Sequence, residues 1–121
     1  MNDRRLAVRR GEVWLVALDP TVGSEQAKTR PCVIVQRDAA NKSKANTTII
    51  VPFTNATNKL VTPARPLIKA GNGLSKDSIG LCDQIRVIDR LRLRGTKLGS
   101  LTETSMHAIN VGLLEILDLT A

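Results

Sequence analysis

The sequence predicts a mainly β protein that ends in one helix, and three observations support this fold class. Short runs of β-favouring residues recur before residue 90, each bounded by proline, glycine or a polar cluster. Apolar residues at helical spacing occur only after residue 100. The length of 121 residues is that of a single domain spanning 1–121. We therefore expect a small, strongly bent antiparallel sheet or partly open barrel with the helix packed over one side.

The first half of the chain contains three uninterrupted β-favouring runs. The first run ends at Asp19-Pro20, because proline cannot continue the interior of a strand. The next two are apolar without alternation, as in strands buried on both faces. We predict a solvated connection over 38–46, between the second and third strands. The predicted strands are 12–18, 31–36 and 47–53.

The second half is less regular until the final helix. Pro63 and Pro66 reduce the segment ending near Ile68 to an edge or irregular strand, and a Gly-Asn-Gly turn follows it. Residues 78–85 are predicted as a strand that continues to Ile88, and 89–97 as a basic stretch. Ser100 and Glu103 have the spacing of a capping box, which predicts a helix over about 101–118. Its apolar stripe consists of Met106, Ile109, Leu113 and Ile116.

Charge and aromatic content restrict the partners. Eighteen Lys and Arg against eleven Asp and Glu give a net charge of +7, which favours a polyanion such as nucleic acid or an acidic protein. The aromatic residues are Trp14 and Phe53, with no tyrosine, so stacking platforms for single-stranded nucleic acid are nearly absent. Recognition of RNA would therefore depend on arginine. Part of the positive charge lies in a predicted basic N-terminal extension, residues 1–9.

Several other classes of protein are disfavoured. Cys32 and Cys82 lie inside apolar runs, and with His107 as the single histidine we predict neither a metal nor another cofactor. Both cysteines are expected to pack as small hydrophobes in a reducing cytosol. No apolar run has the length of a membrane span, and the basic start is not followed by a signal-peptide core. The expected location is the cytoplasm.

The polar loop over 19–30 is the first candidate for function. Cleaving RNA without a metal requires a base for the 2′-hydroxyl, donors for the phosphorane and an acid for the leaving oxygen. Glu25 lies within the loop, Arg30 ends it, and Thr54 follows the third predicted strand, so the strand ends could bring the three together. Taken singly, each has a structural alternative: a carboxylate bound to loop amides, a solvated arginine and a turn former.

The motifs, taken in order, resemble the MazF/PemK family of toxins. The similarity extends from about Arg10 to Leu117. It rests on Arg10-Gly11-Glu12-Val13-Trp14, Leu18-Asp19-Pro20, Gly23-Ser24-Glu25-Gln26, Lys28-Thr29-Arg30-Pro31, Pro52-Phe53-Thr54, Lys76-Asp77-Ser78 and Gln84-Ile85-Arg86-Val87-Ile88-Asp89-Arg90.

The resemblance implies an SH3-like small barrel with a C-terminal helix that forms a homodimer. It implies a metal-independent endoribonuclease that cuts single-stranded RNA, chiefly mRNA, at short sequences and leaves 2′,3′-cyclic phosphate and 5′-hydroxyl ends. It also implies a cognate antitoxin whose acidic, flexible tail blocks the RNA groove, a partner suited to a chain of charge +7.

The same resemblance assigns roles to residues. Arg30 and Thr54 match the catalytic pair, and Glu25 matches a glutamate important in some members. Because a guanidinium stays charged near neutral pH, we favour Arg30 as phosphate clamp or acid partner, Thr54 as oxyanion donor and Glu25 as candidate base. Asp77 matches an aspartate that some relatives use as the base. The predicted RNA-binding residues are Gln26, Lys28, Asp77 and Arg86, with specificity in loops 19–30 and 55–63.

Two other functions are open to the same sequence. The first is a non-catalytic basic barrel that binds RNA or an acidic protein. The second is a gyrase poison resembling CcdB, which is disfavoured because such toxins use an aromatic residue near the C-terminus. This chain ends in Leu119-Thr120-Ala121.

Overall fold

The structure, a computed structural model, describes residues 7–56 and 61–119. Residues 1–6 of the predicted N-terminal extension and residues 57–60 of the predicted specificity loop lie outside this part of the chain. The described strands are β1 (Glu12–Ala17), β2 (Thr29–Ile34), β3 (Thr47–Thr54), β4 (Leu67–Ile68), β5 (Ser78–Gly80), β6 (Arg86–Asp89) and β7 (Leu93–Ser100). The helices are α1 (Asp38–Asn41) and α2 (Glu103–Ile116), and 3₁₀ turns cover Cys82–Gln84 and Arg90–Arg92.

The strands form one antiparallel sheet centred on β3. Its main path runs β4-β5-β3-β2-β1-β7, and β6 also pairs with β3. One edge of β3 bonds to β2, whereas the other is shared by β6 near Thr47 and β5 near Thr54. The sheet therefore branches at β3, with β5 and β4 on one branch and β6 on the other. The predicted mainly β architecture with a C-terminal helix is confirmed.

Both faces of the central strands are buried, which explains their continuous apolar sequence. Side chains alternate between the faces of a strand, so neighbours such as Ile50 and Val51 enter different clusters. One cluster contains Val8, Trp14, Val16, Leu18, Cys32, Ile34, Ile50, Ile88 and Leu93. The other contains Val13, Val33, Val35, Val51, Phe53, Ile68, Leu74, Cys82 and Ile109.

Helix α2 covers the second cluster. Ile109 is fully buried, Met106 and Leu113 pack beside it, and Ile116 at the end of the predicted stripe is 42% exposed. The N-cap is Thr102, whose hydroxyl accepts a hydrogen bond from the Ser105 N–H at 3.1 Å. The capping box predicted from Ser100 is therefore wrong, because Ser100 still belongs to β7.

Three other predicted boundaries are corrected. The solvated connection over 38–46 contains α1, which is held by the buried Asn41 side chain bonded to Gln36 and Thr48. The strand predicted over 78–85 stops at Gly80, and the chain turns through Cys82–Gln84. The basic stretch over 89–97 contains most of β7. The side chains of this strand are mostly exposed, so its sequence lacks the apolar pattern of a strand.

The two cysteines are buried and unpaired, as predicted. Burial raises the pKa of the Cys32 thiol far above its ordinary range, although the Arg86 charge acts against this shift. Within residues 7–56 and 61–119, no helix has the length and hydrophobicity to span a membrane.

Candidate active site

A groove of about 550 Å³ lies between the β1–β2 loop and the end of β3. Three of the predicted site residues, Glu25, Gln26 and Arg86, line it. The floor and the far wall come from Pro52 and from residues around the Cys82–Gln84 turn. The full lining is Val22, Ser24, Glu25, Gln26, Pro52, Arg65, Asp83, Gln84, Ile85 and Arg86.

The loop that forms one wall is fixed at its base and at its middle. At the base, the Leu18 N–H donates to the Lys28 carbonyl at 2.8 Å, and Lys28 adopts the left-handed region with φ 67°. At the middle, the Gln84 side chain accepts from the Gln26 N–H at 2.6 Å. Its amide nitrogen also lies 3.5 Å from the Ser24 carbonyl. These bonds hold the loop over the groove.

Arginines support the same loop through its backbone. Arg86 donates to the Leu18 carbonyl at 3.2 Å, and Arg92 donates to the carbonyls of Ala17 and Asp19 at 3.0 and 2.6 Å. Part of the basic stretch is therefore structural rather than a solvated face. Arg86 still lines the groove, so its charge is available to an anion there.

Glu25 lies at an exposed turn on the rim. One carboxylate oxygen accepts from the Val22 N–H at 2.6 Å, and the Glu25 N–H donates to the Val22 carbonyl at 3.2 Å. No described residue provides a hydrogen bond to the other carboxylate oxygen. Glu25 thus stabilises its own loop and keeps one oxygen for a ligand.

Arg30 and Thr54 come together at the ends of β2 and β3. The paired register of the two strands ends at Cys32 and Pro52, so Arg30 and Thr54 each lie two residues beyond the last pair. Arg30 uses its Nε to donate to the Ala27 carbonyl at 3.1 Å, which leaves its terminal nitrogens without a partner among the described residues. Thr54 is 6% exposed, and its Oγ1 accepts from the Ala56 N–H at 3.2 Å.

Arg30 does not line the groove that contains Glu25. It lines a smaller cavity of about 60 Å³ with Phe53, Asn55, Lys76 and Ser78, among others. Pro52 lines the groove and Phe53 lines the small cavity, so the two spaces flank the end of β3. The structure therefore brings Glu25, Gln26 and Arg86 together, and it places Arg30 in the neighbouring cavity.

Asp77 and Lys28 occupy other positions. Asp77 accepts from the Ala70 N–H at 2.8 Å and lies 3.5 Å from the Lys69 ammonium. The Ala70 hydrogen bond, followed by the Lys69 charge, lowers the pKa of Asp77, which makes this carboxylate a weaker proton acceptor. Lys28 has an exposed side chain on the loop.

Sequence reasoning did not assign roles to three groups that shape the site. Gln84 bonds to the loop, Lys76 shares the cavity of Arg30, and Arg65 donates from Nε and Nη2 to the two carboxylate oxygens of Asp83 on the groove wall. That bond raises the pKa of Arg65. The one available signal was that Gln84 and Lys76 lie in the quoted motifs. In the described part of the chain, no three His, Cys, Asp or Glu side chains cluster as a metal site.

Comparisons with known proteins identify the family. The family of PemK-like, MazF-like toxins of type II toxin-antitoxin systems matches residues 9–117. The endoribonuclease MazF of Staphylococcus epidermidis is 41% identical over 104 residues, covering 85% of each chain. The endoribonuclease MazF of Staphylococcus saprophyticus subsp. saprophyticus has the same identity and coverage.

Solved structures share the fold at lower identity. MazF of Deinococcus radiodurans has a TM-score of 0.78 at 22% identity, covering 94% of this chain and 99% of its own. A mycobacterial endoribonuclease in complex with its cognate antitoxin has a TM-score of 0.76 at 23% identity, covering 95% and 99%. Together with the family match over residues 9–117, these relatives show that the chain belongs to the PemK-like, MazF-like toxins of type II toxin-antitoxin systems.

Proposed function

We propose that this chain is an endoribonuclease that cuts single-stranded RNA, chiefly mRNA, at short sequences without a metal ion. The products would carry 2′,3′-cyclic phosphate and 5′-hydroxyl ends. The 41% identical relatives are endoribonucleases, and that likeness supports the class of reaction. The observation that supports the assignment of residues is that Arg30 and Thr54 lie near the adjoining ends of the paired strands β2 and β3, beside the small cavity that Arg30 lines.

Arg30 is proposed as the phosphate clamp. Its Nε is used by the Ala27 carbonyl, which fixes the guanidinium and leaves the terminal nitrogens to face a phosphodiester. Two such donors match the planar geometry of phosphate oxygens. A guanidinium stays charged near neutral pH, so Arg30 is unsuited to removing a proton; as acid partner it would donate a hydrogen bond to the leaving 5′-oxygen, which takes its proton from water.

Thr54 and Glu25 are proposed for the other two roles. Because the Thr54 oxygen accepts the Ala56 N–H, its hydroxyl hydrogen is free to donate to a phosphorane oxygen. Glu25 would take the proton of the 2′-hydroxyl, and the resulting 2′-oxygen would attack phosphorus as the bond to the 5′-oxygen breaks. An RNA strand crossing the end of β3 would contact the groove and the Arg30 cavity together.

The partners are proposed on the same grounds. Gln26, Lys28 and Arg86 would contact RNA, and Asp77 is the remaining candidate, between Lys76 and Ser78 of the Arg30 cavity. A cognate antitoxin with an acidic flexible tail would bind the basic groove, and the toxin would act as a cytoplasmic homodimer. Because the chain carries +7, RNA binding should weaken steeply with salt, and equal affinity at low and high salt would contradict an electrostatic groove.

One experiment tests the catalytic proposal directly. The purified chain is incubated in excess EDTA with long mixed-sequence RNA and the matching single-stranded DNA, beside Arg30→Ala and the exposed control Arg37→Ala. RNA cut at repeated short sites to 5′-hydroxyl ends, with activity lost in Arg30→Ala alone, is the expected result. If RNA is bound but survives at every protein concentration, the catalytic proposal fails and the non-catalytic RNA-binding function replaces it.

A further inference from the structure

A second cavity, of about 460 Å³, opens at the other end of the sheet from the candidate active site. Arg90 lines it and is anchored beside the start of β3, since its N–H donates to the Asn46 carbonyl at 2.8 Å. From Thr47 to Thr54, β3 spans roughly 23 Å at the usual rise of a strand. The two cavities are therefore separate sites on one sheet.

Among the residues that the structure describes, Arg90 is a buried cation without a counter-ion. The residue is 5% exposed, and its Nη2 donates to the Asn41 carbonyl at 2.6 Å. Its Nε is buried with no hydrogen-bond partner, and among the described residues no carboxylate lies within 4.0 Å of the guanidinium. A buried charge of this kind is unfavourable unless an anion compensates it.

The surroundings of Arg90 are also positive. Arg9, Lys42 and Lys44 line the same cavity, against a single carboxylate from Asp38. That carboxylate already accepts from the Arg10 N–H at 2.7 Å and from the Asn41 side chain at 3.3 Å. These hydrogen bonds lower the pKa of Asp38, with smaller contributions from the charges of Arg9 and Lys42. Among the described lining residues, Arg9, Lys42 and Arg90 therefore outnumber the Asp38 carboxylate, which does not pair with Arg90.

We propose that this cavity binds a phosphate group, and that in function the phosphate belongs to the RNA backbone outside the nucleotides being cut. A phosphate would provide the counter-charge that Arg90 lacks and would accept hydrogen bonds from several cationic groups at once. The assignment to RNA rests on the proposed function, because RNA is the polyphosphate that an endoribonuclease holds. The cavity would anchor long RNA without reading its sequence.

The first test uses inorganic phosphate, with chloride at the same ionic strength as reference. The side-chain Nε–H resonance of Arg90 is followed by NMR in the unchanged chain, in Lys42→Glu and in Arg37→Glu. Arg37 lies next to Asp38 without lining the cavity, so it controls for the charge change. We expect the Arg90 resonance to shift saturably as phosphate is added. Lys42→Glu should lower the apparent phosphate affinity at least fivefold, and Arg37→Glu should leave it unchanged. An Arg90 resonance that phosphate does not move, while that of Arg30 moves, would overturn it.

The second test identifies the source of the phosphate. Cleavage-resistant 2′-O-methyl RNAs of about 5 and about 20 nucleotides are compared for binding over a range of salt concentrations. Lys42→Glu should weaken binding of the long RNA roughly fivefold to tenfold and reduce the slope of log affinity against log salt concentration by about one. Binding of the short RNA should be unchanged. Equal weakening of both lengths, or none, would overturn the RNA assignment. The phosphate titration requires no RNA cleavage. Phosphate binding in this cavity is therefore tested independently of whether the chain is an endoribonuclease.

Discussion

Gln84 and Gln26 are 58 residues apart in the chain and are joined by a hydrogen bond of 2.6 Å from the Gln26 N–H to the Gln84 side-chain oxygen. This bond ties the β1–β2 loop to the turn that precedes β6, and it crosses the wall of the groove. The position of Glu25 therefore depends on a side chain outside its own loop.

Removing that bond should release the loop. Gln84→Leu loses the bond to the Gln26 N–H and the weaker 3.5 Å contact with the Ser24 carbonyl, so we expect kcat/KM for RNA cleavage to fall about tenfold, roughly the value of the first bond. The preferred cleavage sequence should broaden, because the loop no longer holds one conformation. Sequencing of the RNA ends measures both effects. Gln84→Glu keeps an acceptor for Gln26 and is the matched control; equal loss in both variants would contradict a positioning role.

Thr54 offers a test of the oxyanion donor. Thr54→Val keeps the shape of the side chain and removes the hydroxyl, so cleavage should fall by about 10² to 10³. Thr54→Ser keeps the hydroxyl and should retain most of the rate. Affinity for 2′-O-methyl RNA should stay within about threefold in both variants, since the donor acts in the transition state. A valine variant that cuts at the normal rate would exclude this role.

The local sequence predicted the strands whose side chains are buried. It did not predict β7, which is held mainly by backbone pairing and has mostly exposed side chains. β2 and β3 are apolar on both faces, which their uninterrupted runs indicate. β7 has mostly exposed residues and pairs with β1 through its backbone, so its sequence resembles a basic connection. The charge of Arg94 is compatible with the strand because its guanidinium donates to the carbonyls of Leu91 and Leu93, and Arg92 lies in the 3₁₀ turn before β7.

The site was likewise predicted only in part, because it depends on contacts that local sequence patterns do not show. The structure brings Glu25, Gln26 and Arg86 into one groove, whereas the order of loops and strands grouped Glu25 with Arg30 and Thr54. Arg30 lines the next cavity together with Phe53, whereas Pro52 lines the groove, and the alternation of side chains along the strands does not explain this placement. The roles of Gln84 and of the Arg65–Asp83 pair depend on contacts between distant segments, which no local pattern reveals.

Gly112 tests the contact between α2 and the Cys82 turn. A Cβ added at this glycine would lie 2.6 Å from the Cys82 sulfur and 3.0 Å from the Pro63 carbonyl oxygen. Gly112→Ala should lower the free energy of unfolding by about 1–3 kcal/mol, although alanine favours a helix. Denaturant unfolding measures the change, with Val111→Ala on the exposed side of α2 as control. A more stable Gly112→Ala protein would show that the helix can move away from the turn.

Cys82 links stability to alkaline pH. Burial, and then the nearby Asp83 carboxylate, raises the pKa of the Cys82 thiol to about 11. An unfolded chain loses this proton at about pH 8.5, so deprotonation favours the unfolded state between the two values. The contribution is fully present below about pH 8.5 and is lost as the pH rises to about 11, at up to about 1.4 kcal/mol per pH unit. Cys32 acts in the same direction.

The measurement is the free energy of unfolding from pH 7 to 11 under reducing conditions, for the unchanged chain and for Cys82→Ala. The substitution also leaves a small cavity, but that cost displaces the whole curve by a constant and does not change its slope. We expect the curve of Cys82→Ala to decline less steeply above about pH 8.5, because one titrating thiol is gone. Lysine residues begin to titrate near the upper end of this range in both proteins, so the difference between the two curves isolates Cys82. Parallel curves would mean that the thiol ionises as readily in the folded chain as in the unfolded one, which would contradict its burial between Ile109 and the turn.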